Sequence, residues 1–272
     1  SPVIIFDNGS GYLKAGLSNK SYDRYDYYDD LITVPSLIGR PMFRHFETID
    51  DIELKPFMIG DEVIPVRSFL DITYPMKEGI ITNEDDIAIL WDYVLTQKLR
   101  FKKYDLSDRK LLLIEAPLNP TTNKMKMGEI LFEEIGIGFF NIEPQAKMVL
   151  YSNGNETGVV LDCGDSATRV IPVYNSNLLH HQIKKLDIAG RHITEYLIRL
   201  LQNKGYELNL KADFETVREL KEKYCFVSCD IDSDKKIVKE TSYYNSSPRL
   251  PDGRKIIISD EKFKAPEILF NR

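Results

Sequence analysis

Two short hydrophobic stretches that end in the same polar pattern stand out along the chain. One covers residues 3–6 and the other residues 157–161, and each is followed by an aspartate, Asp7 or Asp162. In both places a turn containing glycine and serine comes next, and then a second, mainly apolar stretch. Short apolar runs are typical of buried strands, and a glycine-containing turn between two of them favours a β-hairpin over the strand-to-helix turn of a Walker loop. The pattern therefore predicts two hairpins.

The two predicted hairpins share one layout, with their aspartates 162 − 7 = 155 residues apart. Internal similarity of this kind favours two related halves. Backbone N–H groups in such turns can form a nest for an anion, and Lys14 adds a cation on the returning strand. Asp7 can hold a hydrated Mg²⁺, which usually takes one or two carboxylates together with substrate phosphates. We therefore expect two phosphate-binding turns around a metal–nucleotide tail, although two ordinary surface hairpins would have the same spacing.

Strands and helices alternate through the rest of the first half, which predicts a layered α/β protein. Asn83 is a typical helix cap, and apolar residues follow it at helical spacing. The predicted elements are a helix after Asn83 with Ile87, Leu90, Trp91, Val94 and Leu95 on its apolar face, a buried strand at 111–114, a helix from Thr122 or Asn123, a break at 141–144 and a short helix at 145–151.

Turn-forming residues divide the remaining chain. Residues 20–30 are rich in Tyr, Asp and Ser and predict a loop, and residues 36–74 form a polar insert that we interpret as a small mobile subdomain. In the second half the predicted elements are a helix that begins near Gly190 and ends at Gly205, a helix capped by Asp213, an acidic turn at 230–234, a hairpin turn at 252–253 before a strand at 255–258, and a helical start at 266–267.

Composition narrows the class of protein. The chain has 272 residues, enough for about two domains, and a hydrophobic content of 43% that supports packed cores. The formal charge of −6 comes without a basic stripe, so we expect no nucleic-acid partner. The longest apolar runs are the length of strands, so we expect no membrane partner either. The odd set of three cysteines, Cys163, Cys225 and Cys229, favours a reducing compartment such as the cytoplasm.

Long stretches of the chain resemble the actin family, and within it the actin-related proteins. The segment from Asp7 to Gly11, together with Lys14, resembles the family's first phosphate loop. The resemblance runs through essentially the whole chain, so it does not rest on one motif. Other matching stretches are residues 74–76, 79–80, 90–93, 115–120, 186–191, 212–218, 221–223 and 250–253.

The resemblance implies the actin/heat-shock-70/sugar-kinase fold, which is ribonuclease H-like, with two related α/β domains around a nucleotide cleft. Residues 1–150 would form the first domain, with 36–74 as its inserted subdomain. Residues 151–272 would form the second, with 189–270 as its smaller subdomain. The family continues for roughly another hundred residues, about a domain's worth of chain. The second domain is therefore expected to lack its C-terminal part, and apolar faces are expected to stay uncovered.

The resemblance also implies a Mg²⁺–ATP site. Asp7 and Asp162 would organise the water shell of the metal, and Asp162 together with Gln145 would support the attack of water. The phosphates would be contacted from one side by Ser10, Gly11 and Lys14 and from the other by Gly164 and Asp165. The adenosine pocket would include Gly190, Lys221 and Glu222. From the sequence alone, Lys221 and Glu222 also fit a solvated helix face, and Gln145 fits a polar helix start.

The second loop departs from the family at three positions. Cys163, Ser166 and Arg169 stand where family members usually have Ser, Gly and His. A glycine at this position is typical of a tight or left-handed backbone, and a serine forced into it could cost on the order of 1 kcal/mol or more. Losing the polar group that helps to orient the water can cost roughly 10²-fold in rate. We therefore expect weak ATPase activity at most, although Arg169 could instead clamp the γ-phosphate as a bidentate cation.

The function that the resemblance implies is that of an ATP-binding cytoskeletal protein in the cytoplasm. It would join actin and the subunits of an actin-nucleating complex and template the nucleation or branching of filaments. Two other functions stay open at this point. One is a small-molecule kinase of the same fold, which would need an acceptor site, and the other is a nuclear actin-related scaffold of a chromatin complex.

Overall fold

The computed structural model describes residues 2–18, 31–42, 48–49, 52–209, 213–251 and 253–270. Two compact units divide the chain, Ser1–Lys185 and Leu186–Arg272. The predicted domain boundary after residue 150 falls inside the first unit, and the division into two related domains stays a prediction. The predicted loop at 20–30, part of the predicted insert and Asp252 of the predicted hairpin turn lie outside the described residues.

The strands form several small sheets. Their bounds are β1 Val3–Asn8, β2 Tyr12–Leu17, β3 Ile32–Pro35, β4 Ile38–Pro41, β5 Thr48–Ile49, β6 Ile52–Glu53, β7 Met58–Ile59, β8 Leu70–Thr73, β9 Met76–Lys77, β10 Ile80–Ile81, β11 Lys110–Glu115, β12 Phe139–Pro144, β13 Gly158–Cys163, β14 Thr168–Tyr174, β15 Asn177–Leu178 and β16 Lys184–Leu186.

The helices alternate with these strands. Their bounds are α1 Val63–Val66, α2 Glu84–Tyr93, α3 Thr121–Glu129, α4 Gln145–Ser152, α5 Gly190–Asn203, α6 Phe214–Tyr224, α7 Ile231–Glu240 and α8 Glu261–Lys264. A π-helical segment extends α2 over Val94–Lys98 and another extends α3 over Ile130–Ile135. Short 3₁₀ turns cover Gly60–Glu62, Arg67–Phe69, Lys103–Asp108, His180–Gln182 and Pro266–Leu269. Among the described residues, no helix is long and apolar enough to cross a membrane.

A five-stranded mixed sheet forms the centre of the first unit, in the order β12-β11-β1-β2-β3. β1 runs parallel to β11 and antiparallel to β2, so the first hairpin is present as predicted. Parallel neighbours place the carboxyl ends of β1 and β11 at the same edge of the sheet. The turn that follows β1 therefore emerges at this edge, supported by a buried strand on each side.

Helix α2 packs on this sheet as its sequence predicts. The Asn83 side chain accepts a hydrogen bond from the backbone N–H of Asp86 at 3.1 Å, which caps the helix. Trp91 is fully buried, and its Nε1–H donates to Oδ1 of Asn8 at 3.1 Å. The helix therefore fixes the last residue of β1 immediately before the turn. The apolar residues predicted to face inward, Ile87, Leu90, Trp91, Val94 and Leu95, are all fully buried.

The predicted insert carries a small sheet in the order β7-β4-β8 and an apolar cluster of its own. Its attachment to α2 is ionic, because the Arg40 guanidinium binds the fully buried Asp86 carboxylate through two hydrogen bonds. The Thr73 hydroxyl donates to the same carboxylate at 2.6 Å. The buried cluster consists of Leu37, Met58, Val63, Val66 and Leu70.

The second predicted hairpin is also present, with β13 and β14 paired antiparallel and β15 and β16 beside β14. Helix α4 covers one face of this sheet through Ala146 and Leu150. On the other face Val159, Leu161 and Tyr174 are exposed. An exposed face of large apolar side chains agrees with the expectation of uncovered apolar surface.

The second unit is mainly helical, and α5 and α6 pack against each other. Gly205 follows α5 with a φ of 95°, the left-handed conformation predicted for a glycine just after a helix. Lys204, at the end of α5, donates from Nζ to a carboxylate oxygen of Glu261 at 3.1 Å. This ion pair connects the end of α5 to α8.

Several predictions of local structure are wrong. Residues 141–144 belong to strand β12, because parallel pairing with β11 overrides the turn signals of Asn141 and Pro144, and an edge strand tolerates a terminal proline. Residues 230–234 begin helix α7, because the Asp230 carboxylate accepts from the N–H groups of two following residues. Residues 255–258 form isolated β-bridges, so the strand predicted there is absent.

One predicted cap has a different role. Asp213 precedes α6, but its side chain makes no capping bond to that helix. Its carboxylate instead accepts a hydrogen bond from the backbone N–H of Asn209 at 2.7 Å. An acidic side chain near a helix start can accept from several backbone donors, and that of Asp213 accepts from the donor on the preceding loop.

Candidate functional site

The two hairpins have the same register around their aspartates. Asp7 on β1 pairs with Lys14 on β2, and Asp162 on β13 pairs with Arg169 on β14. The spacing is equal, because 14 − 7 and 169 − 162 are both 7. Each turn therefore places a carboxylate directly across from a cationic residue.

The two turns meet in space within the first unit. A Cβ atom added to Gly11 would lie 2.9 Å from Cβ of Asp165, closer than side chains tolerate, so glycine is needed where the second turn packs on the first. A pocket of about 300 Å³ lies where they meet. Predicted site residues line it from both turns and from α4; they are Asp7, Ser10, Gly11, Lys14, Gln145, Asp162, Gly164 and Asp165.

Burial makes the two carboxylates of this pocket unusual. It raises the pKa of Asp7 above its ordinary value, with an opposing effect of Lys14 and a further increase from the nearby Asp162. The pKa of Asp162 is raised for the same main reason, whereas Arg169 and Lys14 lower it. Nζ of Lys14 lies 3.7 Å from Oδ2 of Asp7. Because half of the lysine side chain is exposed, it offsets the effect of burial on the pKa of Asp7 only in part. Two partly dehydrated carboxylates in one pocket favour a bound cation.

Two residues that line the pocket each have a buried polar side-chain atom without a hydrogen-bond partner among the described residues. The atoms are Nδ2 of Asn8 and Oγ of Ser166, in side chains that are 6% and 8% exposed. Buried donors are almost always satisfied in proteins, so such atoms in a pocket indicate a polar ligand. An amide and a hydroxyl both donate to oxygen, as the N–H groups of the turns do. The wall therefore suits an anionic oxygen ligand together with the cation that its carboxylates favour.

The turn between β9 and β10 contacts both hairpins, which the sequence did not predict. The N–H of Gly79 donates to Oγ of Ser10 at 3.2 Å, and Nη2 of Arg169 donates to the carbonyl of Glu78 at 3.0 Å. Glu78 has a left-handed φ of 56°, and its carboxylate forms an ion pair with Lys185. Residues 79–80 match the family pattern, but that match did not predict that the turn contacts the two hairpins.

The remaining predicted site residues lie in the second unit. Nζ of Lys221, in α6, donates to the carbonyl of Gly190 at the start of α5 at 3.0 Å. Glu222 lies next to it, and its side chain is about half exposed (48%) and 3.9 Å from Nε of Arg218. The structure thus brings Lys221 and Gly190 together, and a role for the three residues in an adenosine pocket stays a prediction.

The three departures in the second turn have different consequences. Ser166 does not have a positive φ, so the left-handed strain expected of a serine at this position is absent. The turn closes through a hydrogen bond from the N–H of Gly164 to the carbonyl of Ala167. Arg169 is largely buried and contacts the Glu78 carbonyl. Cys163 is exposed at the pocket and accepts a hydrogen bond from the Thr168 hydroxyl at 3.2 Å.

The raised pKa of Asp7 predicts a pH-dependent effect on stability. Its folded-state pKa lies above the unfolded value of 3.8, so the free energy of unfolding falls as pH rises between these two values. Without nucleotide or Mg²⁺, Asp7→Asn should therefore raise the melting temperature near neutral pH, and the gain should vanish below about pH 4. Thermal unfolding at several pH values measures this effect. The exposed control Asp108→Asn should show no such gain, and an Asp7→Asn protein less stable than wild type at neutral pH would contradict the account.

Comparison with known proteins agrees with this geometry. The family model described as Actin matches residues 1–272. The chain is 44% identical over 270 residues to actin-related protein 2 of Schizosaccharomyces pombe, 43% over 271 residues to that of Acanthamoeba castellanii and 44% over 268 residues to that of Saccharomyces cerevisiae. These matches cover 99%, 100% and 98% of this chain and 67%, 67% and 66% of the relatives, so the chain spans about two-thirds of their length.

The match extends over both hairpins and over the elements that support them. It confirms the resemblance that the phosphate-loop-like segment and the other stretches indicated, and with it the actin/heat-shock-70/sugar-kinase fold class. The chain therefore belongs to the actin family.

Proposed function

We propose that this chain is an ATP-binding, actin-related cytoskeletal protein whose paired turns hold the phosphates of Mg²⁺–ATP. The observation that carries the proposal is the convergence of two aspartate-led turns on one pocket, with Gly11 against Asp165. The donors of Asn8 and Ser166, which have no partner among the residues that the structure describes, support an oxygen-rich anionic ligand in that pocket. The raised pKa values of both aspartates support a bound cation.

Each turn has its own part in holding the nucleotide. Ser10 and Lys14 would contact phosphate oxygens from the first turn, and the backbone N–H groups near Gly164 would do so from the second. Asp7 and Asp162 would hold Mg²⁺ through its water shell, since Mg²⁺ loses its waters reluctantly. The ion would neutralise phosphate charge. In the second unit, Gly190, Lys221 and Glu222 would line the adenosine pocket, as their match to the family implies.

Slow hydrolysis, or none, follows from the chemistry of Arg169. The family usually has histidine here, and a neutral imidazole can accept a hydrogen bond from water. A guanidinium has only donors, and that of Arg169 donates to the Glu78 carbonyl. Gln145 lines the pocket at the start of α4 and remains able to orient a water. Asp162 would then be the nearby carboxylate that supports the attack, and the protein would be a weak ATPase at most.

The cellular role that fits this site is structural. Bound ATP would stabilise one arrangement of the domains, because its contacts differ between the two arrangements. Its role would be structural, and it would not serve as a source of energy. The matching relatives are named actin-related protein 2. The partners that the family resemblance implies, and that we propose, are actin and the subunits of an actin-nucleating complex. We infer that the protein acts in the cytoplasm, where it presents an actin-like end on which filaments nucleate or branch. No contact among the described residues favours the kinase or the chromatin scaffold over this role.

Removing either carboxylate should weaken the binding of Mg²⁺–ATP. Residues that act through metal-bound water typically contribute 10–100-fold to affinity, so we expect a loss of roughly that size for Asp7→Asn and for Asp162→Asn. ATP without Mg²⁺ should not bind more weakly to either variant, because a carboxylate repels phosphate when no cation lies between them. Isothermal titration calorimetry of the full chain measures both affinities. Asp108→Asn serves as the matched control, and unchanged Mg²⁺–ATP affinity in both variants would remove the site assignment.

Restoring the family residue at position 169 should increase hydrolysis. Arg169→His supplies an acceptor for water, and the gain in the rate of phosphate release can reach roughly 10²-fold. The wild-type chain should release phosphate slowly under the same conditions. Single-turnover assays, with the protein in excess over Mg²⁺–ATP and concentrated enough to bind all of it, separate this rate from binding. Wild-type turnover equal to that of a typical actin would contradict the proposal, and so would a clear loss of ATP affinity in Arg169→His with no gain in rate.

A further inference from the structure

Cys163 lies at the mouth of the proposed nucleotide site. It is the last residue of β13, it is exposed, and it lines the pocket between the two turns. Its cross-strand partner Thr168 donates a hydroxyl hydrogen bond to Sγ at 3.2 Å. The thiol is free, so a reagent that enters the pocket meets an accessible sulfur.

The other two cysteines provide internal comparisons. Cys225 is partly buried, and burial raises the pKa of its thiol to about 11, which keeps it protonated and unreactive near neutral pH. Cys229 is free and exposed, as Cys163 is. It lies outside the residues that line this pocket. The chain thus contains an exposed thiol in the pocket, an exposed thiol elsewhere and a protected thiol.

A separate observation shows that the pocket around Cys163 is suited to a ligand. Ser166, three residues away, lines the same pocket, and its Oγ atom is buried without a hydrogen-bond partner among the described residues. Lys14 and Arg169 line the pocket together with the carboxylates of Asp7, Asp162 and Asp165. A small molecule that carries hydrogen-bond acceptors therefore has donors next to the sulfur.

We propose that Cys163 is a site of reversible thiolation by a small disulfide, and that the resulting mixed disulfide and the nucleotide phosphates exclude each other. The inference rests on the proposed nucleotide-binding function and adds a means of regulating it. Glutathione disulfide is the probe, because it is small and carries several carbonyl and carboxylate acceptors. Oxidising conditions would then empty the nucleotide site, and reduction would restore it.

The chemistry is an ordinary exchange. The sulfur of Cys163, after losing its proton, attacks one sulfur of glutathione disulfide. A new S–S bond forms to the protein while the S–S bond of the reagent breaks, and the departing glutathione thiolate takes up a proton. The protein thiol is oxidised and one glutathione sulfur is reduced, so no further oxidant is needed. Excess thiol reverses the step.

The exclusion follows from the size of the pocket. The pocket measures about 300 Å³ and is shared by both turns, so a tripeptide attached at Cys163 and a phosphate chain between the turns compete for one space. They also compete for the same donors, which include Lys14, Arg169 and Ser166. Cys163→Ser, which restores the residue usual in the family, removes the sulfur and keeps a side chain of similar size.

The test treats the full chain with glutathione disulfide and maps the adducts by peptide mass spectrometry. ATP affinity is measured first on the untreated protein, then after treatment and again after dithiothreitol. Parallel reactions contain excess Mg²⁺–ATP. Cys163→Ser and Cys229→Ser are treated in the same way, and circular dichroism reports whether the treated chain stays folded.

The expected result is an adduct on Cys163 and on Cys229 but little on Cys225. ATP binding should fall in proportion to the fraction modified at Cys163 and return after reduction. Excess Mg²⁺–ATP should slow modification of Cys163 without protecting Cys229. Cys229→Ser should stay sensitive, and Cys163→Ser should keep its ATP binding through the treatment.

Three results would overturn the inference. They are an unreactive Cys163 beside a reactive Cys229, a Cys163 adduct that leaves ATP affinity unchanged, and equal loss of binding in treated Cys163→Ser. Failure of the proposed function would show earlier and separately, because the untreated chain would then bind no ATP, and the inference would fall with it.

Discussion

Two like charges held in one partly dehydrated pocket form the constraint on which the other features of this site depend. Asp7 and Asp162 each lose hydration there, and Asp162 adds to the rise in the pKa of Asp7. Lys14 and Arg169, each paired across its hairpin with one of these aspartates, offset the rise in pKa only in part. A pocket of this kind is less stable when empty than when a cation binds, because a bound cation restores the lost interactions. The arrangement therefore favours a bound cation, such as the one the proposed metal–nucleotide ligand would bring, at some expense to the stability of the free protein.

The scaffold around the pocket explains how such a site can be maintained. β1 is held between β2 and β11, and Trp91 binds the Asn8 side chain at the end of that strand. The second hairpin is supported from below by α4, which also places Gln145 at the pocket. The Glu78–Gly79 turn then contacts both hairpins through Ser10 and Arg169. Rigid elements on both sides of the pocket hold the carboxylates together despite their repulsion.

Local structure with strong signals was predictable from the sequence. The hairpin at Asp7 and the helix after Asn83 follow from apolar spacing and capping, and both are present. Strand β12 was missed because its pairing with β11 is a tertiary interaction that no local pattern shows. Helix α7 was missed because acidic residues near a helix start look the same in sequence as an acidic turn.

In the candidate site, too, features with a local sequence pattern were predictable and features that depend on tertiary contacts were not. Equal spacing of residues around Asp7 and Asp162 predicted two similar turns. The contact of Gly11 with Asp165, 165 − 11 = 154 residues apart, depends on the whole first unit and has no local signal. The contact of Arg169 was not predicted either, because its partner, the Glu78 carbonyl, is a backbone atom of a distant turn. Every residue has a backbone carbonyl, so the sequence does not show which of them accepts a given hydrogen bond, and such contacts are visible only in the folded structure.

The most direct test of the account is to locate the metal. Crystals of the full chain grown with Mn²⁺ and a non-hydrolysable ATP analogue would show the ion through its anomalous scattering. The account predicts one ion between the two turns, with a water bridging it to the carboxylate of Asp7 and another to that of Asp162, and phosphate oxygens beside Ser10 and Gly164. An ion and phosphate chain bound elsewhere, with the pocket between the turns holding only solvent, would contradict it.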